Sequence, residues 1–504
     1  MTEHAGGRAG ASEPAGPSHS AARGRWLLAV VAVGVFIAAD DQTSVVTVLP
    51  LMIPDLGITA DEFYRSSWII NGYLLGYLVA LPVMGRVADV YGTGRIYAAS
   101  MLLFTVGSAL VAAAPGLEFL VAARSLQAVG GGAVVPVAMA IVVRELPPRA
   151  RAPGLGAIAA ASEAGALVGP LWGGAIADWL DWRAVFWLNL PLAAPLAVAA
   201  WRLAAHERRA GGIDWWGAAI LGAALALLTV ALADDPLNPR PLTVTLALLA
   251  ATAAGAAAFA RRELTTAMPL VRPAMLAERP VLAAEAATFL TGGALITVLI
   301  GVPLFVNLVL AEGPLAGGIT LLRLTAAVPV GALCGGWLAA RVDLRAIASV
   351  GMLLAAAGVG TLAAWDEGLR EPLRSAPQLV AGLGFGLVLA PLASAVLARV
   401  GEGERATAAA WLTLARIAGM LVGAAVLAST GLGRFYARAG SVEFGSPGFE
   451  ELVRAAQVDT FREIFLAAAV VLLAAAALCA ALGPPPRDRE ALPEEEGRRW
   501  WFTA

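Results

Sequence analysis

Long apolar stretches recur along the chain, each continuous rather than alternating with polar residues. A helix crossing the ~30 Å hydrocarbon core of a bilayer needs roughly 20 mostly apolar residues. Fourteen stretches meet that length, beginning near Trp26, Ser66, Arg95, Glu118, Pro153, Arg183, Trp215, Pro241, Val281, Gly318, Leu344, Ala376, Arg405 and Thr460. Backbone groups in lipid must bond within their own segment, so the pattern predicts helices. A β-barrel would need ~10-residue segments of alternating polarity, which are not seen. The expected class is therefore an all-α polytopic membrane protein with 14 transmembrane helices.

Polar breaks group these spans as six, two and six. Residues 1–24, rich in Gly, Ala, Ser and Pro, read as a disordered tail. A first bundle of six spans covers 25–205. Residues 206–280 hold two linker spans between a charged stretch, His206 to Asp214, and a polar one, Arg261 to Pro280. The second six-span bundle covers 281–483, and 484–504 form a polar tail. Within the second bundle the 431–459 segment is long for a connection. Its Arg434–Arg438 and Phe449–Arg454 runs read either as extensions of the thirteenth and fourteenth helices beyond the membrane or as a surface loop.

Composition sharpens this picture. The chain is 59% hydrophobic and 14% charged across 504 residues, against about 25% charged in soluble domains. Too little polar sequence remains to cover a soluble core. A net charge of −2 gives no support for a nucleic-acid partner. All 35 basic residues are Arg. With an even number of spans both termini share a side, and that side carries 23 Arg against 9 opposite. The positive-inside rule then makes the terminal side cytoplasmic. The other three, Arg124, Arg323 and Arg416, fall within spans.

Enzyme chemistry finds little footing. The three His (His4, His19, His206) lie outside the spans, so no buried base, metal cluster or Ser/His pair is expected. No phosphate-binding Gly-x-x-x-x-Gly-Lys is present, which leaves an ion gradient as the energy source. No catalytic residues, cofactor or metal are expected.

The two sixes show internal similarity, the sequence mark of alternating-access transporters. After the second span stands Gly85-Arg-Val-Ala-Asp89-Val-Tyr-Gly92-Thr-Gly-Arg95, and after the corresponding later span Gly336-Trp-Leu-Ala-Ala-Arg341-Val-Asp343-Leu-Arg345. Glu163 precedes Gly165 and Gly169, as Arg416 precedes Gly419 and Gly423. Gly85 to Arg95 resembles the loop motif of the major facilitator superfamily. Arg124-Ser-Leu-Gln127-Ala-Val-Gly130 resembles its fourth-helix motif. Gly165-Ala-Leu-Val-Gly169-Pro170-Leu-Trp-Gly173-Gly174 resembles its antiporter motif. Trp182-Arg183-Ala-Val-Phe186-Trp-Leu-Asn189-Leu-Pro191 resembles the fourteen-helix drug:proton antiporter branch. Within that branch, Ser162–Pro170, Gly382–Ser394 and Ala415–Gly423 are similar to the mycobacterial triacylglyceride exporters, which work with a periplasmic lipid-carrying lipoprotein. The resemblance implies a major facilitator fold in the bacterial cytoplasmic (inner) membrane.

Ionisable residues inside a membrane are costly, about 2.5–3.5 kcal/mol each on insertion scales, and so need a reason. Asp41 is the leading proton-coupling carboxylate, with Arg124 at matching depth to bias its charge; adjacent Asp40 points ~100° away around the helix. Glu163 and Arg416, at equal depths in repeat-related spans, are expected to pair across the two bundles, with a static pair or two water-facing groups as the alternative. Asp89 and Arg95, with Gly85 and Gly92, form a gating candidate; the resemblance implies that Asp89 caps neighbouring helix ends when the inward side is closed. Gly165, Gly169, Gly173 and Gly174 share a face, and Pro170 interrupts the ladder, as in a packing and hinge element. Glu285 and Arg323 read as reaching the membrane interface, and Glu312 as lying at a helix end.

The function expected is proton-coupled export of lipids (triacylglyceride-like) or other lipophilic molecules. A multidrug:proton antiporter for small amphiphilic compounds is the alternative, and an intramembrane lipid-modifying enzyme a more distant one.

Overall fold

The computed structural model describes residues 17–58, 65, 67–204, 212–232, 240–312, 314–427, 434, 438 and 449–483. The rest of both terminal tails and most of the 431–459 segment lie outside this set. Among the described residues thirteen helices are long and apolar enough to cross a membrane, and Trp215–Ala231 is a shorter apolar helix. Fourteen helical passes follow from the fourteen hydrophobic stretches.

The first six helices are α1 (Pro17–Asp55), α2 (Ser67–Tyr91), α3 (Thr93–Ala112), α4 (Leu117–Glu145), α5 (Pro148–Trp179) and α6 (Trp182–Leu203). Two linker helices follow, α7 (Trp215–Leu232) and α8 (Leu242–Thr265), then a short helix α9 (Pro273–Ala277). The last group is α10 (Arg279–Leu308), α11 (Pro314–Ala339), α12 (Leu344–Leu362), a pass broken at Val388 into α13 (Ala376–Leu387) and α14 (Leu389–Leu397), α15 (Arg405–Val426) and α16 (Phe449–Cys479). The face on which α1 begins is called the near face, the opposite one the far face.

Three boundaries differ from the sequence reading. Helix α1 begins at Pro17, so residues 17–24 are helical rather than part of a disordered tail. Pro is tolerated in a first helical turn, where its missing N–H has no partner to lose. The Arg23 guanidinium then fixes the start by donating to the Leu203 carbonyl at 3.0 and 2.8 Å. Helix α5 begins at Pro148 for the same reason, not near Pro153. Helix α16 begins at Phe449, eleven residues before the span read from hydropathy. Just past this extension Phe461 joins an aromatic cluster, with Trp365 and Phe305 rings 5.4 Å apart and Phe305 and Phe461 rings 5.5 Å apart.

Packing repeats between the two groups of six. Helix α1 lies along α5, and its counterpart α10 lies along α15. In each pair small residues bring backbones together. A Cβ on Gly165 would sit 2.3 Å from the Phe36 carbonyl oxygen, and one on Gly419 would sit 1.9 Å from the Phe289 carbonyl oxygen. Helices α3 and α4 pack together and against α6 and α2; α12 bridges α13 and α16. The two groups meet where α5 runs along α11 and α2 along α15. Linker helices α7 and α8 pair with each other, and α7 leans on α2. Helix α8 presents nearly all of its surface outward, as suits a lipid-facing helix.

Candidate functional site

The first site is a polar cluster sealed inside the first bundle. Asp41 is 1% exposed and Arg124 1% exposed. The Arg124 Nη1 donates to Asp41 Oδ2 at 2.7 Å. Gln127 Nε2 and Asn189 Nδ2 donate to Asp41 Oδ1 at 2.9 and 2.7 Å. Ser108 Oγ joins at 2.6 Å from Gln127 and 3.2 Å from Asn189. Arg124 also stacks over the Tyr73 ring, 4.2 Å from its centroid. Four helices thus converge on one carboxylate. Removing one partner of such a pair leaves a buried charge uncompensated, at about 3–5 kcal/mol. The pairing of Asp41 with Arg124 was legible from their depths. The roles of Gln127, Asn189 and Ser108 were not, although Gln127 follows Arg124 by one helical turn and so faces the same way.

Asp40 takes a different direction. It is buried, and its Oδ1 has no hydrogen-bond partner. The backbone around it packs against the α5 glycines: a Cβ on Gly169 would meet the Asp40 carbonyl oxygen at 2.5 Å, and one on Gly173 the Ser44 oxygen at 2.7 Å. Gly165, Gly169 and Gly173 therefore form the seam between α5 and α1. Gly174 stands beside it, with only Thr47 near its open side. Pro170 lies within α5, which runs unbroken to Trp179.

The second site joins the two bundles. The Arg416 Nη1 donates to Glu163 Oε1 at 2.5 Å, with side chains 23% and 16% exposed. This pair lines a central cavity of about 300 Å³ together with Gln42, Thr43, Thr288 and Thr291. The remaining lining is largely aliphatic, from Val135 and Met139 to Leu295 and Leu392. The volume is at the lower limit for small-ligand pockets, about 300–1,000 Å³.

The third site closes the near face. Asp89, 5% exposed, ends α2 and reaches across to the N-terminus of α15. Its carboxylate accepts from Ala406 N at 3.0 Å, Thr407 N at 2.8 Å and Thr407 Oγ1 at 2.8 Å. An anion at a helix N-terminus satisfies orphan N–H groups and meets the positive end of the dipole. Gly85 makes the approach possible, since a Cβ there would stand 2.8 Å from the Ala406 carbonyl oxygen. Gly92 supplies the turn into α3 with φ +100°, a region that L side chains rarely adopt. Further along the same face Gly156 of α5 and Gly336 of α11 touch; a Cβ on either would lie 2.8 Å from the other's Cα. Arg95 is half-buried and is not among the partners of Asp89.

The weaker candidates also find places. Glu312, between α10 and α11, accepts from Arg374 at 2.9 and 2.6 Å. That guanidinium holds the Glu312 carboxyl below its ordinary range. Arg323 pairs with Glu371 at 3.1 Å. Glu285 is 9% exposed and lines an apolar groove with residues of α7, α8, α15 and Pro273 of α9.

A helical membrane protein of two six-helix bundles, with a largely aliphatic cavity between them and a capped seam on one face, has the architecture of a secondary transporter. Comparison with known proteins makes the class specific: residues 31–424 match the Major Facilitator Superfamily, and the chain belongs to that family. It is 35% identical over 418 residues to a triacylglyceride transporter of Mycolicibacterium smegmatis, covering 80% of this chain and 74% of the relative. It is 35% identical over 430 residues to a triacylglyceride transporter of Mycobacterium tuberculosis, covering 80% and 81%. Among solved structures, a human organic anion transporter shares the fold with a TM-score of 0.59 at 19% identity, covering 89% of this chain and 99% of that one. A bacterial homologue of the human lysosomal transporter Spinster, inward-facing and unoccupied, gives 0.53 at 15% identity, covering 94% and 98%. The chain is thus a transporter rather than an enzyme, and the resemblance read from its motifs holds.

Proposed function

We propose that this protein is a proton-coupled exporter of triacylglyceride-like or other lipophilic molecules, working by alternating access. The single observation that carries the coupling is the Glu163–Arg416 pair, which ties the bundles together at the cavity wall. Names of the relatives support a lipid cargo. So does the cavity lining, which is aliphatic beyond the Glu163–Arg416 pair and a set of hydroxyl and amide side chains.

The near face is assigned to the cytoplasm, with both termini there, on the excess of Arg on that side. The state described is then closed inward: Asp89 caps α15, and α5 and α11 touch at Gly156 and Gly336. A lipid with several long acyl chains exceeds a 300 Å³ cavity, so this state holds part of a cargo at most. Protonating Glu163 removes its charge and leaves Arg416 unpaired, which costs several kcal/mol in a low dielectric. Water entering as the bundles part relieves that cost, so proton loading favours a different arrangement of the halves. Protonating Asp41 likewise removes the charge paired with Arg124, weakens the bonds Asp41 accepts and loosens the contact of α1 with α4 and α6. On the far face, the early start of α16 supports a projecting structure from which a periplasmic lipid-carrying lipoprotein receives cargo.

Arg416→Ala and Glu163→Gln test this reading in reconstituted vesicles. Both are expected to abolish transport driven by a pH gradient while the protein stays folded. Turnover at the wild-type rate in either variant contradicts it.

A further inference from the structure

The linker helices carry no part of the mechanism just described, yet they lie across the seam that it opens. Helix α7 leans on α2 of the first bundle, where a Cβ on Gly222 would stand 3.0 Å from Val79 Cγ1. On the other side, Phe259 of α8 stacks with Trp411 of α15, centroids 6.2 Å apart and planes at 22°. One apolar cluster draws on all of these elements: Val83 of α2, Leu221 of α7, Phe259, Leu270 after α8, and Trp411. Its two ends thus belong to α2 and α15, the helices that Asp89 joins at the near face.

Polar contacts make the linker one piece. Asp214, just before α7, accepts from Arg262 of α8 at 2.5 and 2.7 Å. Glu263 Oε2 accepts from Val271 N at 2.8 Å and turns the chain back after α8. Val271 and Met275 are then buried in one core with Val281 and Ala284 of α10. Arg272 pairs with Glu404 at 2.6 Å, just before the Ala406 and Thr407 amides that Asp89 caps. The Arg272 side chain is 64% exposed, so this pair adds little energy and mainly sets position. The contact with α2 is of another kind. The one hydroxyl of α7, on Thr229, donates to the Leu225 carbonyl of its own helix at 2.8 Å. Small and aliphatic side chains make up the rest of the α7 surface that meets α2.

We propose that the linker is a strap across the near-face seam: it stays with the second bundle, and the α7–α2 contact is the joint that parts when the near face opens. When α2 and α15 separate, α7 and α8 cannot keep both neighbours. The side anchored by the Phe259–Trp411 stack and by buried Val271 and Met275 holds. The α7–α2 side gives way, because lipid tails replace apolar contacts between helices and only the packing difference is lost. The strap therefore adds to Asp89 in favouring the closed near face without preventing its opening. This inference rests on alternating access and is independent of the cargo.

The test uses the full chain in nanodiscs, with exposed Cys334 replaced by Ser and spin labels at Arg149 and Arg341, on opposite sides of the α5–α11 seam. Gly222→Leu crowds the joint and leaves Asp89 and the anchored side intact. It is measured alone and together with Asp89→Asn, which raises the open population. The ratio of long to short distances is expected to rise about fivefold or more on adding Gly222→Leu, the low end of what crowding a packed contact costs. Val79→Ala with Val83→Ala trims the α2 side of the joint, is expected to act in the same direction, and serves if Gly222→Leu does not fold. An unchanged ratio in folded variants overturns the strap. If Asp89→Asn alone lengthens the distance, the strap fails by itself; if no variant does, near-face opening fails with it.

Discussion

Asp89→Asn isolates the carboxylate that we propose helps to hold the near face closed. Asp89 accepts three hydrogen bonds from the first residues of α15, at 3.0, 2.8 and 2.8 Å. An Asn side chain keeps one carbonyl oxygen and turns an amide NH₂ toward N–H groups that are themselves donors. The bonds that remain lose their charge assistance, about 1 kcal/mol each, and at least one buried donor is left unsatisfied, about 1–3 kcal/mol. Losing the charge–dipole term adds about 0.3–1 kcal/mol. Together the closed near face weakens by about 3–6 kcal/mol, shifting the closed-to-open ratio by about 10²–10⁴. Both variant and parent can carry spin labels at exposed near-face positions on opposite halves, Arg149 of α5 and Arg341, two residues after α11. The distance distribution between them should move to longer values in Asp89→Asn. An unchanged distribution in folded protein would show that Asp89 does not hold the face shut.

Three further outcomes follow from the same geometry. Arg124→Ala should lower stability by about 3–5 kcal/mol by stranding Asp41, read as a drop in thermal midpoint that Arg124→Lys partly restores. Gly169→Leu should disrupt the α1–α5 seam, since even a Cβ would meet Thr43 Oγ1 at 2.1 Å; crowding of this kind costs about 1–3 kcal/mol or more, and an unchanged melting profile would refute the packing. The Glu312–Arg374 clamp gives a signed pH dependence. The Glu312 carboxyl is held low by Arg374, so its contribution is present above the unfolded pKa of about 4.3 and is lost as pH falls through the folded value. Glu312→Gln should therefore flatten the acid limb of stability against pH and leave the profile above pH ~6 with the same slope.

What the chain reveals to a reader of its sequence is governed by where its partners lie. The fourteen passes are visible because a bilayer demands a fixed apolar length. The Asp41–Arg124 and Glu163–Arg416 pairs are visible because depth along a helix follows from counting residues. Asp89 is harder: its partners are backbone N–H groups of α15, 317 and 318 residues away, and a backbone donor leaves no mark in residue type. Asn189 and Ser108 reach Asp41 only through the rotation of α6 and α3 about their own axes, which the spacing does not fix. The burial of Glu285 is also hidden from a count along its own helix, because residues of α8, α9 and α15 line the same groove and coverage by distant segments is invisible to a local count. The starts of α1 and α5 precede their apolar stretches because hydropathy marks only the lipid-crossing part of a helix, and the first turns from Pro17 and Pro148 are more polar.

The central claim is that a proton gradient drives a lipophilic cargo across the membrane through Asp41 and the pair between the bundles. The most direct measurement follows labelled triacylglycerol in proteoliposomes under an imposed pH gradient, with Asp41→Asn alongside. The account predicts movement that needs the gradient and stops in the variant. Movement without a gradient, or undiminished movement in Asp41→Asn, would contradict it.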